Sequence, residues 1–141
     1  MFETVVVATD GSESTERAVE ASFDLSDRFD AELHALTVVE SNSAAAHNRA
    51  QELLRDLADR ADRTVTTVIE DGAPATAISS YATRIDADVV IMGIRGRDGP
   101  YRYHLGSVAE TVVYECPVPV LTVHHLDGGV DEETETGTET E

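Results

Sequence analysis

Five short runs rich in β-branched residues, each separated from the next by a stretch of helical periodicity, restrict this chain to few folds. The runs are TVVVAT (Thr4 to Thr9), LHALTVV (Leu33 to Val39), TVTTVI (Thr64 to Ile69), DVVIMG (Asp88 to Gly93) and VPVLTV (Val118 to Val123). Several are apolar on both faces, as strands covered above and below must be. Between them, Ala18, Ala21, Leu25 and Phe29 fall on one helical face, as do Ala46, Ala50, Leu53, Leu57 and Ala61 in the longest segment. Pro74 opens a third helix carrying Ala77, Ile78, Tyr81, Ala82 and Ile85. Ser107 to Tyr114 forms a short fourth, stopped by Pro117.

Alternating strands and helices predict an α/β domain: a five-stranded parallel sheet with helices on both faces, because parallel strands need right-handed crossover connections. In the doubly wound order 3-2-1-4-5 the winding reverses between the first and fourth strands. Ligands of such sheets bind at that point, beyond the carboxyl ends of the strands. The loops leaving those two strands are DGSES after Thr9 and GIRGRDGPYRYHLGSV after Met92.

Charge narrows the function classes. The 141 residues include 28 acidic and 10 basic side chains, for a formal net charge of -18, and all the basic ones are arginine. A surface this acidic repels duplex nucleic acid, so no nucleic-acid partner is expected. Dense carboxylate without lysine also resembles proteins of salt-loving organisms, in which molar salt screens self-repulsion. Cys116 is the only cysteine, so no internal disulfide forms, and its surroundings in YECPVPV suit space-filling better than chemistry. No window nears the apolar length of a membrane span and the start lacks a basic leader region. The expectation is a soluble, cytoplasmic protein with no membrane partner. Residues 127–141, DGGVDEETETGTETE, bury too little to order and are expected to be a disordered acidic tail on a domain spanning 1–126.

Within the loop after Met92, Gly93 and Gly96 are expected to turn the backbone with positive φ and let a ligand approach closely. Gly106 and Ser107 open a helix whose free amides and dipole favour an anion. Arg95, Arg97 and Arg102 gather positive charge beside them. The loop reads as a phosphate cradle. It is not a Walker A motif, which needs lysine, nor a dinucleotide fingerprint, which needs GxGxxG after the first strand. Asp10 has two readings, as a ligand-binding carboxylate or as a turn former and helix cap, since Asp10-x-x-Glu13 has capping-box spacing. His34, His47, His124 and His125 are scattered and form no metal cluster pattern.

The spacing Gly93, two residues, Gly96, nine residues, Gly106-Ser107 resembles the ATP-binding branch of the universal stress protein family. VVVATDGS, EDGAPATAI, ADVVIMGIRG, LGSVAETVV and CPVPVLTV extend the likeness, in order, from Val5 to Val123. The segment between Gly96 and Gly106 departs from the pattern in carrying Pro100 and two tyrosines. The resemblance implies a Rossmann-like domain of the adenine nucleotide alpha hydrolase type. It puts Thr9 and Asp10 at the ribose and adenine side, and the backbone of Val38 against adenine. Gly93, Gly96, Gly106, Ser107 and Val108 fall at phosphate-binding positions, and Met92 and Arg97 complete the set expected to contact nucleotide. The ligand it implies is ATP, or ADP or AMP, with magnesium or manganese on the phosphates. It further implies a stress-response sensor or regulator with slow or no hydrolysis. A weak metal-dependent ATPase, and a dimeric interaction module that binds no nucleotide, are the alternatives. Pro119 fits an edge strand, and the apolar run Val118 to Val123 is expected to pair two chains in a homodimer.

Overall fold

The computed structural model describes residues 2–94 and 107–124. The elements follow in the order β1 (Thr4–Ala8), α1 (Glu13–Phe29), β2 (Glu32–Val39), α2 (Ala44–Arg60), β3 (Val65–Asp71), α3 (Pro74–Arg84), β4 (Val89–Ile94), α4 (Ser107–Glu115) and β5 (Val120–His124). All five strands are parallel, in the order β3-β2-β1-β4-β5. This is the expected doubly wound α/β sheet, with its switch point between β1 and β4.

Strand alternation sorts the core into two layers. Val5, Val7, Leu33, Ala35, Val89 and Ile91 turn to one face, where they meet Ala18 and Val19 of α1 and Leu54 and Leu57 of α2. Val6, Ala8, Leu36, Val90 and Met92 turn to the other, against Ile78, Tyr81 and Ala82 of α3 and Ala109 and Val112 of α4. Each fully buried aliphatic side chain contributes about 1.5–3 kcal/mol.

Polar ties fix the ends of this sandwich. The Asp88 carboxylate accepts from the amides of Glu3 at 2.7 Å and Thr4 at 2.9 Å, clamping the start of β1 to β4. The buried His34 of β2 takes the Tyr81 hydroxyl of α3 on Nδ1 at 2.6 Å and gives its Nε2 hydrogen to Glu32 at 2.9 Å. The carboxylate can only accept, so Nε2 carries the hydrogen in that contact. Burial pushes the Tyr81 phenol up from its ordinary value, which keeps the hydroxyl hydrogen that the Nδ1 contact uses.

Three local expectations need correction. The buried stripe of α1 includes Ser22 and Ser26, whose hydroxyls bond back to Val19 O at 2.7 Å and Ser22 O at 2.6 Å. Phe29, expected on that stripe, is 45% exposed and stands edge-on against Phe2. β5 begins at Val120 rather than Val118, because Pro119 has no amide to donate and enters the sheet only through its carbonyl, which accepts from Val90 N at 2.9 Å. The remaining strand boundaries move by one or two residues. The proposed tail, 127–141, lies outside the described residues.

Candidate functional site

The site begins where β1 ends. Its pairing with β2 stops at Ala8 opposite Leu36, closed by a bond from Thr9 N to Leu36 O at 3.0 Å. β2 runs on beside β3 to Val39 opposite Asp71. The next rung toward β1 would use the Thr9 carbonyl, but that oxygen accepts from the Thr37 hydroxyl at 2.9 Å. Alternate residues of a strand turn their backbone groups the same way, so the amide and carbonyl of Val38 face the gap that β1 leaves. Unpaired backbone groups of this kind can read the edge of a planar ligand.

The turn from β1 into α1 is held by hydroxyls. Gly11 adopts φ +83°, which a glycine takes without strain. Its amide donates to Thr9 Oγ1 at 3.1 Å, Thr9 Oγ1 lies 2.9 Å from Thr15 Oγ1, and Thr15 Oγ1 donates to Ser12 O at 2.9 Å. With the ends fixed, the middle hydrogen belongs to Thr9. Asp10 is the turn former: its Oδ1 accepts from Ser12 N at 2.9 Å, which leaves the second oxygen for a ligand. The capping-box reading fails, because the residue preceding α1 is Ser12 and it makes no side-chain cap.

Gly93 also needs a different explanation. It lies within β4 and not in a positive-φ turn. A Cβ there would come 2.4 Å from Ser14 O and 2.9 Å from Thr15 Cα, so its missing side chain lets the first turn of α1 seat against the strand.

These features enclose a cavity of about 370 Å³ at the switch point. That volume lies in the range of small-ligand sites. Thr9, Asp10, Val38, Met92, Gly93, Ser107 and Val108 all line it, so the structure brings together every predicted site residue that it describes. Gly96, Arg97 and Gly106 lie outside the described residues, as do Arg95 and Arg102. Leu36, Pro74 and Ile78 add an apolar slot between β2 and α3. Ser14, Thr15 and Glu40 also line the cavity and were missed by sequence reasoning. Glu40 carried a usable signal, since it stands two residues beyond Val38 and so on the same side of the strand.

The cavity is electrically lopsided. Asp10 and Glu40 also border a groove on the α2 side of β2, whereas Ser107 and Val108 do not. The carboxylates therefore occupy one end and the amino terminus of α4, with its positive dipole end, the other. A ligand suited to this axis has an anionic end, a hydrogen-donating end and an apolar flat body between. Among the described residues no group of three or more His, Cys, Asp or Glu is placed to hold a metal ion.

The model of the universal stress protein family, matched over residues 1–124, covers this whole architecture. The chain belongs to the universal stress protein family. A universal stress protein of Methanocaldococcus jannaschii is 30% identical over 140 residues, spanning 87% of this chain and 82% of that protein. A crystal structure of a universal stress protein in complex with cAMP is 28% identical, with a TM-score of 0.73, and covers 89% of this chain and 98% of its own. A universal stress family protein of Arabidopsis thaliana with AMP bound shares the fold, at 21% identity and a TM-score of 0.70 over 93% of this chain and 97% of its own.

Proposed function

We propose that this universal stress protein binds an adenine nucleotide, ATP foremost, and acts as a sensor or regulator in the stress response rather than as a fast enzyme. The observation that carries the reading is the lopsided cavity at the switch point. Phosphates fit the α4 terminus at Ser107 and Val108, with Gly96, Gly106 and Arg97 as further contacts. Ribose hydroxyls fit Asp10 and Glu40, and the base fits the Val38 backbone over Leu36 and Ile78. Magnesium or manganese would be held chiefly by the phosphates. The cAMP and AMP complexes of relatives support an adenine nucleotide as the ligand class.

Titration calorimetry with ATP and magnesium tests the reading, together with chromatography of nucleotide released from the denatured protein and an assay for freed phosphate. Saturable binding with little phosphate release is expected, and Ser107→Asp, which puts a negative charge at the phosphate end, should weaken it at least ten-fold. Absence of both binding and carried-over nucleotide would favour an interaction module, whereas metal-dependent turnover would favour a weak ATPase.

Assembly is proposed on separate grounds. β5 is an edge strand, and its Leu121 is 43% exposed, so two chains pairing along this edge would bury apolar surface and satisfy open backbone groups. Light scattering should give a dimer mass, and a monomer mass at all concentrations would refute it.

A further inference from the structure

The α2 side of the β2 tip holds a second opening. Leu36 faces the nucleotide cavity, Thr37 and Val39, turned the other way, face a groove of about 450 Å³ under α2, and Val38 at the tip borders both. The groove stays open because the residues meeting across it are small: Gly11 on the β1–α1 turn, and Ala46 and Ala50 one turn apart on α2. Leu53 closes one end, so near that a Cβ on Gly11 would lie 3.2 Å from its Cδ1. The Thr37 hydroxyl is committed to Thr9 O.

The rim carries the information. Asp10 and Glu40 stand on the strand side and Arg49 on α2. Among the described residues, Arg28, Arg60, Arg63 and Arg84 each pair with a carboxylate, whereas Arg17, Arg49 and Arg55 do not, and of those three Arg49 is the one that lines the groove. Opposite charges are thus held apart across an apolar floor. A simple anion matched to Arg49 would also face two carboxylates, and a simple cation would face the guanidinium. A molecule carrying both charges close together on an apolar side chain suits all three parts.

We propose that this groove binds a free apolar amino acid. Its carboxylate meets the Arg49 guanidinium, its ammonium meets Asp10 and Glu40 when no nucleotide occupies them, and its side chain lies on Val39, Ala50 and Leu53.

The test uses the full chain without nucleotide, so its outcome is separate from that of the ATP titration. L-leucine is titrated calorimetrically in the lowest potassium chloride at which circular dichroism shows the chain folded, since salt screens the charges. Saturable one-site binding is expected. 4-Methylpentanoate, lacking the ammonium, and isoamylamine, lacking the carboxylate, should each bind at least ten-fold more weakly. Arg49→Gln should weaken leucine at least ten-fold and leave ATP affinity within about two-fold. Ala46→Trp should fill the groove and abolish leucine binding, and if that variant does not fold, Arg49→Gln and the two analogues decide. No saturable leucine binding, equal binding of leucine and 4-methylpentanoate, or binding indifferent to Arg49→Gln overturns the proposal.

Discussion

Gly93 and Ser14 touch where a side chain would not fit: a Cβ on the glycine would stand 2.4 Å from the serine carbonyl oxygen. Two backbones meet there, and neither can move aside as a flexible side chain would. Gly93→Ala should therefore destabilise the fold by about 1–3 kcal/mol, by pushing α1 off β4. Denaturant unfolding measures it, and a midpoint equal to that of the unmodified chain would show that α1 seats by another contact.

The hydroxyl relay from Gly11 through Thr9 to Thr15 makes a smaller and more specific prediction. Thr9→Val keeps the shape of this buried residue but leaves the Gly11 amide without its acceptor. A loss of about 1 kcal/mol is expected, with Thr9→Ser recovering most of it. Equal stability of the Val and Ser variants would mean that the relay contributes nothing.

Both ring nitrogens of His47 face acceptors, Nδ1 the Ser43 carbonyl at 3.1 Å and Nε2 the Asp71 carboxylate at 2.9 Å. Only the protonated ring donates from both, and the Ser43 carbonyl, with help from Asp71, raises its pKa above the usual 6.5. The contribution of this tie between α2 and β3 is complete below pH 6.5 and is lost as pH rises through the raised value. An NMR titration of the ring should place its midpoint above 6.5 and show Asp71→Asn lowering it.

Asp88 works in the opposite sense. The amides of Glu3 and Thr4 hold its carboxyl below the ordinary 3.8, so its stabilisation is present above that pH and fades as pH falls through the depressed value. The stability gap between the unmodified chain and Asp88→Asn should be widest near neutrality and close in strong acid. A gap independent of pH would remove the charge from the account.

A formal charge of -18 on a chain this short predicts strong salt dependence. Melting in molar potassium chloride should occur well above melting at low salt. Equal melting temperatures would count against a halophilic adaptation.

The layered sheet was legible because β-branched runs and helical periodicity alternate cleanly, and the switch point followed from strand order alone. Thr9, Asp10, Val38, Met92, Gly93, Ser107 and Val108 were legible by motif and do meet at one cavity. Less visible were features that depend on tertiary neighbours. Ser22 and Ser26 look like surface residues until their hydroxyls fold back onto helix carbonyls, and Phe29 looks like core until it reaches the open end of α1 beside Phe2. The role of Gly93 was misread because a glycine needed for close packing and one needed for positive φ look identical in one dimension.

Much of this site is made by stopping short. β1 ends at Ala8 while β2 continues to Val39, and the exposed notch in the sheet presents main-chain groups that every amino acid but proline supplies in full. Substitution at Val38 by any residue but proline, within what its packing against the core allows, therefore keeps the donor and acceptor it offers. What cannot change is the length of the first strand: a single extra rung between Thr9 and Val38 would shut the site while leaving every side chain around it in place.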